Sequence, residues 1–207
     1  MTGDGYRVRV KRIVIAGGIG AGKSAATDFL AGLGYEIIDA DDVAHAVTEP
    51  GAPAWHALRD AFGDAVLDDD GQLDRHFVAD VVFHDPSALR RLNLITHAHI
   101  GEEMRRRLDL ANGECVFLAV PLFRAEHRST LSLDEVWAVQ SSPELAESRL
   151  VTYRGFTSGD ARARLSSQMS NEERAKIVDV VIWNDGTLDE LHAQLNTQLE
   201  RIGLHHG

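Results

Sequence analysis

Cysteine is nearly absent from this chain of 207 residues, and Cys115 is its only one. A lone thiol excludes an intramolecular disulfide and fits a reducing compartment. Its setting, ECVFLAV, reads as a buried strand and not as the setting of a nucleophile. Positive charge is also scarce. Lys and Arg number 21 against 32 Asp and Glu, a net charge of -11 at pH 7. A chain this acidic is a poor partner for nucleic acid or an anionic membrane, so neither is expected. A small anion can still be held by a local basic pocket. No apolar run reaches the roughly 20 residues that span a bilayer. The opening MTGDGYRVRVKR has no apolar run before a cleavage site, so a cytoplasmic location is expected. Ten histidines include no HExxH spacing. Repeats at 20–50 residues and low-complexity tracts are missing too.

What is present is ordinary for a globular protein, 44% apolar and 26% charged, enough for one good core. Five segments read as strands: Arg12–Ala16, Tyr35–Asp39, Glu114–Val120, Glu135–Gln140 and Asp179–Trp183. They are near-continuously apolar and separated by helical patterns. That combination argues for an α/β fold, a parallel five-stranded sheet with helices on both faces. Helices are expected over Lys23–Leu33, with Phe29, Leu30 and Leu33 on one side, and from Pro53, Asp74, Asp85-Pro86, Ser142-Pro143 and Gly159-Asp160. Leu89, Leu92, Ile95 and His99 form a stripe at helical spacing. Thr187-Leu-Asp-Glu190 is a capping box for a last helix carrying Leu188, Leu191, Leu195 and Ile202. The expected organisation is a single domain over 1–207. Its core is 8–40, 113–141 and 178–203, a helical excursion covers about 41–112, and a basic one covers about 142–177.

The chemistry concentrates in GGIGAGKS, residues 17–24. Gly17-x4-Gly22-Lys23-Ser24 matches GxxxxGK[ST] in full, with a strand before it and a helix after. Glycines let bare N–H groups close on phosphate oxygens, and the helix start adds its positive dipole end. Lys23 would bridge the β- and γ-phosphates, and the Ser24 hydroxyl would ligate Mg²⁺. ATP as co-substrate and Mg²⁺ as cofactor are the expectation. The binding set is Gly17, Gly18, Gly20, Ala21, Gly22, Lys23, Ser24 and Ala25. Asp39 and Asp41, in IIDADD, fall at the carboxyl end of the second strand, the ligand-binding end of a parallel sheet. A carboxylate there would take the proton of an attacking hydroxyl or hold a water of the Mg²⁺ shell. The alternative for Asp41 or Asp42 is a helix cap. No apolar strand ends in a Walker B aspartate, which favours a small kinase over a motor or switch ATPase. Arg149, Arg154, Arg164 and Arg174, with Gln168 between them, suit a lid that offsets phosphoryl charge.

Taken in order, the motifs GGIGAGKS, LGYEIIDADDVAH, EPGAPAW, FGDAVLDDDGQLDR, VFHDPSALRRLNLITHAHI, VPLF, ESRLVTYRG, ARARLSSQ and IVDVVIWNDG resemble the dephospho-CoA kinase family over about residues 12–198. The resemblance implies a P-loop kinase core, a helical subdomain for the CoA substrate and an arginine-bearing lid. It implies phosphorylation of the ribose 3′-hydroxyl of dephospho-CoA by ATP. The family's proposed base maps onto Asp41, with Asp39 beside it as substrate contact and further Mg²⁺ candidate. Catalytic roles also fall to Lys23, Arg149 and Arg154, nucleotide contacts to Arg149 and Gln168, and substrate contacts to Arg75 and His97. The partners are then two small molecules, ATP and dephospho-CoA, and the expected state is a monomer or weak homo-oligomer. Ala25, Ala98 and Phe123-Arg124-Ala125 depart from the family's usual residues. They keep two rivals open: a related P-loop kinase for another nucleotide or nucleoside, and a nucleotide-binding protein without catalysis.

Overall fold

The structure, a computed structural model, describes residues 9–204, apart from the side chains of Arg75, Phe77, Ala79, Val82 and Phe83. The chain forms two compact units. One joins the residues up to Ile38 with those from Ala111 onward; the other is Asp39–Leu110.

The first unit is built on β1 (Lys11–Gly17), β2 (Glu36–Asp39, whose last residue begins the second unit), β3 (Cys115–Val120), β4 (Glu135–Gln140) and β5 (Val180–Trp183). The sheet order is β2-β3-β1-β4-β5, and β1 pairs in parallel with both β3 and β4, as β4 does with β5. All five expected strands are there. The parallel sheet follows from their sequence. Ile13, Ile15, Phe117, Trp137 and Val139 point to one face, against Leu30 of α1 (Lys23–Gly32) and Leu191, Leu195 and Leu199 of a C-terminal helix. Their alternates Val14, Val116, Leu118, Val136 and Ala138 are equally buried. Strands covered on both sides need continuous apolar runs, and each large side chain taken from water contributes about 1.5–3 kcal/mol. Trp137 is fully buried, and its indole N–H is satisfied by Glu135 Oε2 at 2.7 Å.

The second unit is helical: α2 (Ala40–Ala46), α3 (Pro53–Phe62), a 3-10 turn (Asp64–Val66), α4 (Arg75–His84) and α5 (Pro86–Leu110). The first, third and fourth of these helices lie with α3 as one bundle, α2, α3 and α4 each packing on α5. Pro53 and Pro86 open α3 and α5, and Asp74 immediately precedes α4, as the start signals predict. Trp55 Nε1 donates to the Gly71 carbonyl at 2.9 Å, closing the loop between α3 and α4.

The remaining helices belong to the first unit: α6 (Ala125–Thr130), α7 (Pro143–Arg154), α8 (Ser158–Ser166), α9 (Asn171–Ala175) and α10 (Leu188–Arg201). The capping box at α10 is formed: Thr187 Oγ1 accepts from Glu190 N at 3.2 Å, and Glu190 Oε2 accepts from Thr187 N at 2.7 Å. Several expected details are corrected. Leu188 is exposed and Ile202 lies past the helix, while Leu199 completes the buried stripe of α10. Leu89 is exposed, and α5 buries Ala88, Met104 and Leu108 instead. Helix α8 begins beside the expected Gly159-Asp160, with Thr157 as its cap, whose hydroxyl accepts from Asp160 N. Among the described residues no helix is long and apolar enough to cross a membrane.

Cys115 is buried in β3, and burial pushes its thiol up to about 12. At pH 8 the native protein should therefore resist a water-soluble disulfide reagent, with one thiol appearing in step with unfolding by denaturant. Stoichiometric labelling of the folded protein would contradict the packing of β3.

Candidate active site

β1 ends at Gly17, in register with Val139 of β4. A Cβ at Gly17 would lie 2.7 Å from the Val139 carbonyl oxygen, so only glycine lets the two backbones pass this closely. The chain then turns through residues 18–21 and enters α1 at Gly22. Gly22 caps that helix in the left-handed region, φ 92°, and its hypothetical Cβ would sit 2.0 Å from Asn184 Nδ2. The Ala21 amide closes the turn on the Gly18 carbonyl at 3.2 Å, and the Ala26 amide begins the helix on Gly22 at 3.3 Å. Among the described residues, the amides of Gly20, Gly22, Lys23, Ser24 and Ala25 have no acceptor. A cluster of unpaired donors at a helix start is the structural mark of an anion site, and phosphate oxygens are the acceptors it fits.

Side chains from distant segments hold this loop. Arg149, half-buried on α7, donates from Nη1 to the Gly20 carbonyl at 3.4 Å and from Nη2 to the Asn184 carbonyl at 2.9 Å. Asn184, buried just past β5, donates from Nδ2 to the Ala21 carbonyl at 2.9 Å. Gln168, in the turn after α8, accepts from the Ile19 amide at 2.9 Å. Arg174, on α9, is 8% exposed, and burial pulls its pKa below the ordinary arginine value. Lys23 is half-buried at the start of α1, and the Ser24 hydroxyl is exposed. The structure thus brings Arg149 and Gln168 to the loop. It does not bring Arg154 there: Arg154 stands exposed in the last turn of α7. Arg164 stacks over Phe156, 4.7 Å from the ring centre.

In the helical unit Asp39 is the N-cap of α2; its Oδ1 accepts from Asp41 N at 2.8 Å. The capping role that was the alternative for Asp41 or Asp42 thus falls on Asp39. Asp41, in the first turn of α2, is exposed and keeps its carboxylate for other work. It lines a cavity of 670 Å³ whose other polar walls are His45, Thr48, Thr96 and His97, and whose apolar walls include Leu58, Leu73, Val78, Leu92 and Ile100. That volume suits a drug-sized or nucleotide-sized ligand. Asp39 does not line it, and the side chain of Arg75 lies outside the described residues. Ala98 is exposed on α5, and Phe123 is buried ahead of α6.

Sequence reasoning missed Asn184 and Asn171 as loop and network residues. Asn184 stood in the quoted IVDVVIWNDG run, but a single amide side chain has no spacing signature until β5 places it under the loop.

A parallel sheet of this order, with an amide-lined GxxxxGK[ST] loop between β1 and α1, defines a P-loop nucleotide-binding protein of the small-kinase type. Comparison with known proteins narrows the class. The family model for dephospho-CoA kinase matches residues 12–190. A dephospho-CoA kinase of Corynebacterium glutamicum is 40% identical over 194 residues, 92% of this chain and 96% of the relative. Among solved structures, a Thermus thermophilus protein, TT1252, superimposes with a TM-score of 0.77 at 28% identity, covering 94% of this chain and 98% of that one. The dephospho-CoA kinase of Campylobacter jejuni does so at 0.65 and 23% identity, over 94% and 98%, and shares the fold. The chain belongs to the dephospho-CoA kinase family.

Gly22→Ala tests the cradle. The left-handed backbone disfavours any Cβ by about 1–2 kcal/mol, and the methyl would collide with Asn184 Nδ2. Calorimetric titration with MgATP should show binding abolished while the helical circular dichroism is kept. Undiminished affinity would contradict the role given to the loop.

Proposed function

We propose that this chain transfers the γ-phosphoryl group of ATP to the ribose 3′-hydroxyl of dephospho-CoA, giving coenzyme A and ADP. The observation that carries the reading is the cradle of unpaired amides ending in Lys23 and Ser24, in a chain that the family covers from residue 12 to 190. The acceptor oxygen forms its bond to the γ-phosphorus as the bond to the β–γ bridging oxygen breaks. Asp41 takes the proton that the hydroxyl loses. The freedom of its carboxylate from capping and its place in the cavity wall support this assignment. Lys23 and Arg149 offset the charge gathering on the transferred group, and Arg154 joins them when the segment of about 142–177 closes as a lid. The helical unit receives dephospho-CoA, with Asp39, Arg75 and His97 as further contacts.

The donor set fits Mg²⁺ as it does in other P-loop kinases. The Ser24 hydroxyl is exposed and takes part in no hydrogen bond among the described residues, so it would hold the ion, with Asp39 as a further ligand through water. When bound, the ion neutralises charge on the phosphate oxygens. Among the described residues no group of three or more His, Cys, Asp or Glu could hold a metal on its own. The ion would therefore depend on the nucleotide for its remaining ligands. On this reading the protein works in the cytoplasm on two small molecules, as a monomer or weak homo-oligomer, without nucleic acid or membrane.

The test is ADP release by purified protein with MgATP and dephospho-CoA, beside a panel of ribonucleosides. Dephospho-CoA should be the preferred acceptor, and a tenfold preference for another would overturn the reading. Asp41→Asn should cut kcat by about 10²–10⁴-fold with ATP affinity retained. Wild-type turnover in that variant would remove Asp41 from its role. Lys23→Ala should weaken both ATP affinity and turnover.

A further inference from the structure

Arg174 is a cation kept in the interior beside the loop. Its Nη1 donates to Asn171 Oδ1 at 3.0 Å and its Nη2 to the Met169 carbonyl at 2.8 Å. Both acceptors are neutral, and among the described residues no carboxylate pairs with it. Asn171 is itself fixed. Its Nδ2 donates to the Ser141 carbonyl at 2.8 Å, and its own carbonyl accepts from Gln140 Nε2 at 3.0 Å, which ties it to the end of β4. The guanidinium is therefore anchored, through Asn171, to the end of β4.

That position faces the entry of the phosphate loop. A Cβ built on Gly18 would stand 3.3 Å from Arg174 Nη2 and 3.3 Å from Gln168 Oε1, the oxygen that accepts from the Ile19 amide. Two side chains thus bracket Gly18 and Ile19, next to the unpaired amides of Gly20, Gly22, Lys23, Ser24 and Ala25. Burying a guanidinium without a counter-ion is unfavourable, and an apolar residue of similar size would stabilise the fold more. The missing counter-charge is then supplied by a ligand, and the loop beside it is a polyphosphate site.

We propose that Arg174 is a positioning residue for phosphoryl transfer: it braces Gly18–Ile19 from the β4 side and holds an unpaired positive charge that selects the triphosphate over the diphosphate. It belongs to the same segment of about 142–177 as Arg154, but its hydrogen bonds already hold it beside the loop, whereas Arg154 stands exposed. The amides nearest α1 serve the inner phosphates, and Lys23 reaches from the β- to the γ-phosphate. The brace at the other end of the loop serves the terminal one. The inference rests on the loop being the ATP site, and not on the identity of the acceptor.

The test is displacement of a fluorescent ATP analogue by ATP and by ADP, with Mg²⁺ and no acceptor present. Arg174→Met should weaken ATP by about 10–100-fold, the range expected for one charged interaction lost, and ADP by much less. Arg174→Lys should recover most of the ATP preference. An unchanged ATP/ADP affinity ratio in Arg174→Met, whether both affinities persist or fall together, would overturn the proposal. Should Arg174→Met lose its cooperative melting, Asn171→Asp replaces it, since a carboxylate there pairs with Arg174 and cancels its charge. Loss of the ATP preference in that variant supports the proposal, and an unchanged ratio overturns it. If dephospho-CoA proves not to be the acceptor, both outcomes keep their meaning.

Discussion

Close passage of bare backbone at Gly17 sets the geometry of the nucleotide-binding unit. β1 can approach β4 so tightly there only because no side chain intervenes. The turn that follows then enters α1 with its N–H groups unpaired. An unpaired amide is costly where water is excluded and favourable where an anion waits. The loop's stability as a shape comes from outside it. Arg149 and Asn184 take up the carbonyls of Gly20 and Ala21, and Gln168 takes up the amide of Ile19. Removing the carbonyls and the entry amide from play leaves a ring of donors with one electrostatic preference.

The helical unit has a different economy. Its cavity mixes Asp41, His45 and His97 with aliphatic walls from α3, α4 and α5. Such a lining suits a ligand with both polar and apolar parts. The carboxylate that matters is kept available by its neighbour. Asp39 satisfies the orphan amide at the start of α2, so Asp41 need not. Asp39 thus caps α2, and Asp41 stays in the cavity wall, where the proton transfer is proposed.

Much of this was legible in the residues. The strands were plain where the run is apolar and buried on both faces: Cys115–Val120 is the clearest case, and Glu36–Asp39, polar at both ends, is the weakest. The phosphate loop was plain because glycine, lysine and serine at fixed spacing answer to one ligand. The carboxyl end of the second strand supplied Asp41 as a candidate and the resemblance to dephospho-CoA kinases supplied His97, and both line the cavity of the helical unit. What escaped was set by tertiary contact. The short helices Ala125–Thr130 and Asn171–Ala175 carry no apolar period, and Leu89 and Leu188 obey a helical spacing yet stay exposed. Asn184 and Asn171 act through single amide groups whose partners lie 163 and 30 residues away. The burial of Arg174 could not be read from a chain in which arginine is equally at home on a solvated helix.

The most direct check on the central claim is residue-resolved amide hydrogen exchange with and without MgATP. The account predicts slowed exchange concentrated at Gly20, Gly22, Lys23, Ser24 and Ala25, the amides that lack acceptors in the free protein. Unchanged exchange at these positions under saturating nucleotide would contradict it.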